Sequence, residues 1–381
     1  MPHNTAWQPH LVKKQSLGFG LNCFNQTTRC ILVNRRISTP FGERNMKRIK
    51  QMFFASCTWV ILSAGLTAQA EVDKVVLARQ FGIGYLQLAV MDQMKLVEKH
   101  LASVGLANTK VEWARFASGS AANDAMLSGR LHFAAGGTGP AFILWDKTRN
   151  NAKVHGVAAL SSMPNLLVTR DPKIKTISDF GSNNKIAMAG AGSSVQTTYL
   201  QMAAAKTWGI AQYKKLDTLM VNLPHPEGLK TMLSGGTEVT STFTTPPFQY
   251  MALENKDVRV VLNSYQIMGG RNTFLMVWAT DAFRKDNPKS YRAVFDALKE
   301  ATDWINANKQ DAARLYVKDT GGKETAESIL KMLNDPDIQI TLTPEKVLPY
   351  AQFMQEVGTL KNRPEKWTDL FFPELHSLPG S

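Results

Sequence analysis

Three short stretches of hydroxyl and glycine residues stand where this chain could do chemistry. They are Ser118-Gly119-Ser120, Gly136-Gly137-Thr138-Gly139-Pro140 and Gly190-Ala191-Gly192-Ser193-Ser194. Each follows a β-type run and opens a run of helix formers. A Ser at such a boundary caps the helix by accepting one of its first N–H groups. The other early N–H groups point outward at the positive end of the helix dipole. The chemistry is reception: such ends hold an anionic or polar ligand. Thr244-Thr245-Pro246-Pro247 ends another strand in a similar way.

Reactive chemistry is missing by comparison. Cys23, Cys30 and Cys57 are the only cysteines, and all lie in the first 70 residues. The rest of the chain therefore has no disulfide, thiolate nucleophile or Cys metal site. Of its histidines, His100, His132, His155, His225 and His376, none is paired at metal-ligand spacing. Ser193-Ser194 lacks a nucleophile-elbow setting. Gly82 and Gly84 lack the third glycine and the later acid of a dinucleotide fingerprint. No enzyme, no cofactor and no metal is expected.

The elements that must position these loops follow from residue patterns. Val111–Phe116 reads as a strand, Ala121–Leu127 as a helix stopped by Gly129, and Leu131–Ala135 as a second strand. A strand–helix–strand unit implies a parallel sheet. The unit recurs: Met126-Leu127-Ser128-Gly129 and Pro140-Ala141-Phe142 reappear as Met232-Leu233-Ser234-Gly235 and Pro246-Pro247-Phe248, offset by 106 (232 − 126 and 246 − 140). Two lobes on one plan are expected, with ligand-facing loops on each. Lys74–Arg79, Val154–Leu160, Lys185–Ala189, Thr218–Leu223, Glu238–Phe243 and Val258–Leu262 read as further strands. Leu86–Leu101 has helical apolar spacing. Asn165–Arg170 and Thr273–Ala279 are extended and apolar, suited to cross between lobes. From Asp281 onward the chain is helical, and the apolar face through Tyr291, Val294, Phe295, Leu298 and Ile305 reads as packing.

The chain has 381 residues and a net charge of +13, a balance that would suit a nucleic-acid partner. The distribution says otherwise. Residues 1–70 carry nine Lys and Arg against Glu43 alone, which leaves 35 basic and 30 acidic residues from Glu71 onward, about +5 (35 − 30). No basic stripe follows, so no nucleic acid is expected. Met46-Lys47-Arg48-Ile49-Lys50, the apolar run Met52–Leu66 and Ala68-Gln69-Ala70 form a signal peptide (46–70), with cleavage after Ala70. Residues 1–45 are polar, basic and patternless, and read as an unstructured upstream mis-start.

The order of these pieces resembles the periplasmic substrate-binding proteins of ABC importers, in the nitrate/sulfonate/taurine group. The residues that carry the likeness are Phe116-Ala117-Ser118-Gly119, Leu127-Ser128-Gly129 and Gly137-Thr138-Gly139-Pro140. They continue through Lys185-Ile186-Ala187, Gly192-Ser193-Ser194 and Thr245-Pro246-Pro247-Phe248. Gly358-Thr359-Leu360 and Trp367-Thr368-Asp369-Leu370-Phe371 complete them. The resemblance implies an α/β, two-lobe periplasmic-binding-protein fold of type II, with two parallel or mixed sheets, flanking helices and two crossing strands. Lobe one would comprise 71–167 plus 276–381, and lobe two 168–275. It implies a monomer in the periplasm that binds a small molecule by hinge closure, with an ABC permease and ATPase at the inner membrane as partners.

Carried over residue by residue, the resemblance places the ligand on Gly82, Tyr85, Ser118, Gly119, Ser120, Gly137, Thr138, Gly139 and Ser161. From lobe two it adds Gly192, Ser193, Ser194, Gln196, Thr244 and Thr245. Many relatives, including taurine binders, carry an Asp where this chain has Thr245. A hydroxyl holds an ammonium poorly, so an organic anion without an amine, sulfonate-like, or a neutral polar compound is expected. Arg79, Arg115 and Arg271 are possible counter-charges, and Arg271, after Gly269-Gly270, is counted with the site. His225, between Pro224 and Pro226, is a further candidate for the cleft wall. Two alternatives share the fold: a receptor presenting its ligand to a sensor protein, and a pyrimidine-precursor synthase, whose cysteine-rich motif is absent here.

Overall fold

The computed structural model describes residues 71–322 and 324–381. The expected mis-start, signal peptide and cleavage point lie outside the described residues.

The strands in chain order are β1 (Lys74–Arg79), β2 (Lys110–Arg115), β3 (Ala134–Gly137), β4 (Val154–Ser162), β5 (Leu166–Thr169) and β6 (Lys185–Met188). They continue as β7 (Met220–Asn222), β8 (Val239–Thr244), β9 (Arg259–Asn263), β10 (Thr273–Thr280) and β11 (Gln339–Ile340). One sheet runs β7-β6-β8-β5-β9, with β7, β6 and β8 parallel and β5 antiparallel to both its neighbours. The other runs β3-β10-β4-β11, with β10 antiparallel to β3 and β4. The parallel pair β1-β2 joins it where Leu77 bridges Phe133. The strand plan β2-β1-β3-β10-β4 thus repeats as β7-β6-β8-β5-β9. This is an α/β two-lobe architecture of mixed sheets.

The helices of the first lobe's loops are α1 (Leu86–Gln93), α2 (Leu96–Ser103), α3 (Gly119–Leu127) and α4 (Thr138–Thr148). Those within the second are α5 (Val195–Trp208), α6 (His225–Ser234), α7 (Phe248–Leu253) and the short α8 (Ser264–Met268). The sequence repeat corresponds to α3-β3-α4 and α6-β8-α7. The single helix expected over Leu86–Leu101 is two, because Lys95 takes a left-handed conformation (φ 54°) between them. Apolar spacing survives the break, since Leu96, Val97 and Leu101 remain buried.

The C-terminal part is helical as expected: α9 (Asp281–Asp286), α10 (Pro288–Ala307), α11 (Lys309–Thr320), α12 (Ala326–Leu333) and α13 (Val347–Glu356). Tyr291, Val294, Leu298 and Ile305 of α10 are buried against the first lobe. Three tyrosines of the second lobe hydrogen-bond to this part: Tyr213 Oη to Val357 O (3.0 Å), Tyr250 Oη to Asp335 Oδ2 (2.9 Å) and Tyr265 Oη to Asp337 O (2.8 Å).

The chain passes between the sheets twice, from β4 to β5 and from β9 to β10. The extended runs expected to cross are themselves sheet strands, β5 and β10, because their alternate residues pair on both sides. The bends lie where the chain enters the second sheet, just before β5, and where it leaves that sheet, just after β9. At the bends, Asn165 N donates to Ser264 Oγ (2.9 Å) and Ser264 N donates to Asn165 O (3.0 Å). Both residues are fully buried, so the two passages are stitched together at one point.

Candidate functional site

Parallel strands from both sheets deliver their C-terminal loops to one small cavity of about 30 Å3. From the first lobe, Gln80, Tyr85, Gly119, Ser120, Gly137 and Pro140 line it. From the second come Ala189, Gly190, Ser193, Ser194, Val195, Gln196 and His225. Phe274 and Leu275 of β10 complete the wall. No Asp, Glu, Lys or Arg is among these residues, so a ligand here meets dipoles and hydroxyls but no formal charge.

The helix ends are built as the sequence predicts. Ser118 Oγ caps α3 by accepting from Ala121 N (3.3 Å), and Ser194 Oγ caps α5 by accepting from Thr197 N (3.2 Å). The leading N–H groups of both helices, at Gly119, Ser120, Val195 and Gln196, have no helical acceptor and belong to residues of the cavity wall. Two helix dipoles thus present positive ends to one space, from opposite lobes.

Side chains around the cavity are held by polar contacts. Gln196 Nε2 donates to Asn165 Oδ1 (2.7 Å), which ties the wall to the stitched bends. Gln80 Nε2 donates to Ala135 O (2.8 Å), and Ser118 and Ser120 hydroxyls lie 2.9 Å apart. The His225 ring stacks on Phe248 (5.9 Å between centroids, 20°), and its Nδ1 lies 3.1 Å from Thr244 Oγ1. Burial pushes the imidazole down to about 4, so it is neutral near pH 7. A Thr244 hydroxyl donating to Nδ1 leaves Nε2–H as a donor.

The lobes touch around this cavity through glycines. A Cβ on Gly139 would lie 2.9 Å from Ser193 O and 3.0 Å from Tyr350 Oη; on Gly137, 3.1 Å from Val195. On Gly190 it would lie 3.2 Å from Ser118 Cβ, and on Gly82, 3.2 Å from Pro246 O. Ile83 N also donates to Pro246 O (3.3 Å). The two lobes are thus in direct contact around the cavity.

Of the expected site residues, Tyr85, Gly119, Ser120, Gly137, Ser193, Ser194 and Gln196 line the cavity. Ser118, Thr244 and Gly139 stand directly behind it, as cap, His225 partner and lobe contact. Thr138 is buried (1% exposed) at the start of α4. Ser161 is buried in β4, behind Gly84, whose Cβ would fall 3.0 Å from Ser161 Oγ. Gly192 faces open space, with nothing within 4 Å of a built Cβ. Thr245 turns its hydroxyl to Met163 Sδ (3.7 Å) and is 1% exposed. Arg271 lies apart: its side chain is exposed on the surface and its Nε donates to Glu345 (2.9 Å). Gly269 and Gly270, both at positive φ, swing the chain outward there. Arg79 is paired internally, with two 3.0 Å bonds to Asp319. Gln80 was not singled out by sequence, and Gly190 and Pro140 were named within their loops but not among the residues assigned to the ligand.

The sequence profile of the NMT1-like family matches residues 68–318, more than half of the chain. The chain belongs to the NMT1-like family. No curated protein matches the sequence. This family member's fold is similar to solved periplasmic proteins. The alkanesulfonate-binding protein SsuA from Xanthomonas axonopodis pv. citri, bound to MOPS, has a TM-score of 0.60 at 14% identity, over 76% of this chain and 93% of that one. The nitrate-binding protein NrtA from Synechocystis PCC 6803 has 0.60 at 14% identity, over 78% and 84%. The aliphatic sulphonate binding protein SsuA from Escherichia coli has 0.57 at 17% identity, over 79% and 92%. The chain has the periplasmic-binding-protein fold. No helix among the described residues is long and apolar enough to cross a membrane, and no group of His, Cys, Asp or Glu among them could hold a metal ion.

Proposed function

We propose that this protein is the extracytoplasmic solute-binding component of an ABC importer. It takes a small, sulfonate-like organic anion between its two lobes, whose bounds shift from those expected (71–167 plus 276–381, and 168–275) to the passages β4–β5 and β9–β10, and hands it to a membrane permease. On this reading it is an exported monomer, cleaved after Ala70. It performs no catalysis.

One observation carries the reading: capped helix N-termini from the two lobes, α3 and α5, meet at a single cavity without charged side chains. Such a cavity favours an anion through N–H groups and dipoles, and offers no carboxylate to hold an amine. The alkanesulfonate and nitrate named for two structural neighbours are both anions. The ligand docks on one lobe of an open form, and hinge closure brings the other lobe onto it. Affinity then depends on how much better the closed form holds it.

A melting-temperature screen tests this with alkyl and aryl sulfonates, taurine, nitrate, carboxylates and pyrimidines. A ligand at ~100 times its dissociation constant adds about 2.7 kcal/mol of stability. The expected result is a shift of several degrees with sulfonates and none with taurine. A shift with taurine, or with none of the anions, would sink the reading.

A further inference from the structure

The polar cavity is too small for an organic ligand on its own: about 30 Å3 is the space of a water molecule or two. It does not end there. Gln80 and Tyr85 also border a second cavity of about 280 Å3. We infer that this second cavity is a chamber for the ring system of an aromatic ligand whose polar head occupies the first. The inference rests on the cleft being a ligand site.

Four observations carry it. The chamber is walled by aromatic and apolar side chains from both lobes: Phe81, Ala89 and Tyr316 from one, Pro226, Phe248 and Met251 from the other. Closure therefore forms it together with the polar cavity. Two of its four charged side chains neutralise each other, since Arg79 and Asp319 are 13% and 5% exposed and bonded at 3.0 Å. The other two charged side chains of the wall, Arg115 and Glu324, are of opposite sign, so the chamber carries no net charge. Arg115 lays its guanidinium over the Phe81 ring at 5.1 Å and has no ion pair among the described residues. A flat face backed by a cation suits an electron-rich ring. Lastly, apolar space of about 150 Å3 accepts benzene, so the chamber has room for one or two fused rings.

The test compares probes with one head and different bodies: methanesulfonate, benzenesulfonate and 2-naphthalenesulfonate, with benzamide as an uncharged ring. Titration calorimetry on the full chain gives their affinities. Benzenesulfonate is expected to bind at least tenfold tighter than methanesulfonate. In Met251→Trp, which fills the chamber, that ratio is expected to fall at least tenfold. Ala89→Leu, from the opposite lobe, is expected to do the same, which covers a Trp variant that fails to fold. Equal affinity for the methane and benzene compounds, or a ratio unchanged in both variants, overturns the chamber. Binding of benzamide but of no sulfonate overturns the anion reading and leaves the chamber standing, provided that Met251→Trp or Ala89→Leu weakens it. Binding of none of the four overturns both.

Discussion

The two lobes share a strand order but not a way of using it. In the first, glycine backbone at Gly119 and Gly137 stands beside the Gln80 and Tyr85 side chains, and Gln80 is held by a backbone carbonyl, Ala135 O. In the second, side chains line the wall, with Gln196 and His225 each held by a buried partner, Asn165 and Thr244. The first lobe anchors its polar side chain on backbone, the second anchors its two on buried side chains. The first lobe alone carries the C-terminal helices, and through Tyr316 they contribute to the second cavity, which Pro226, Phe248 and Met251 of the second lobe also wall. A repeated plan thus gives equivalent places without equivalent roles.

Acid should expose that asymmetry most. His225, on the second lobe, has its pKa lowered from 6.5 to about 4 by burial. A depressed histidine stabilises the fold fully above its unfolded value and loses that stabilisation as pH falls from ~6.5 towards ~4, because the unfolded chain binds the proton first. The loss approaches about 3 kcal/mol. The melting temperature of the free protein should drop over that window, and His225→Gln should flatten the drop. An equal slope in the variant would mean that His225 is not the group concerned.

Next comes the glycine face. Gly139→Val meets Ser193 O and Tyr350 Oη in the closed form, and overpacking of this kind costs about 2 kcal/mol. Ligand affinity should fall about thirtyfold. Gly192→Ala, one residue from Ser193 but free of neighbours, should leave closure intact and cost only the strain of its φ of 88°. Similar affinities in the two variants would show that the lobes do not close as seen here.

The caps are where the lobes should behave alike. Ser118→Ala and Ser194→Ala each remove one capping bond, at about 1 kcal/mol of stability. Chemical denaturation should give near-equal losses, and a large inequality would break the correspondence between α3 and α5. The smallest effect is expected from Tyr250→Phe. It removes one tie to Asp335, for about 1 kcal/mol or less and a fewfold weaker ligand binding.

How much of this could be read from residues follows the same division. The glycine and serine loops were legible, because N-caps and tight turns leave local signatures at fixed offsets. Long-range partners leave none. Nothing near Thr245 indicates that its hydroxyl turns to Met163, 82 residues away. Arg271 reads as a cleft cation only until Glu345 takes it at the surface. His225 between two prolines gives no clue to the Phe248 ring that buries it. The chamber was hidden for a related reason. Tyr316 and Asp319 sit on a C-terminal helix whose apolar spacing looks like packing alone, and their other face is defined only once β1 lies beside them.

The stitched bends at Asn165 and Ser264 have a mechanical consequence. Two strands leaving one body at separate points would permit twisting and sliding as well as bending. Fastened to each other by reciprocal bonds in a dry interior, they would act in the proposed closure as a single pin with one axis. Gln196 of the cavity wall holds the same Asn165, so the pin is anchored directly beside the cavity. Under the proposed hinge closure, the lobes would part like a book opened at its spine, and the pages would face each other in the same register each time it shut.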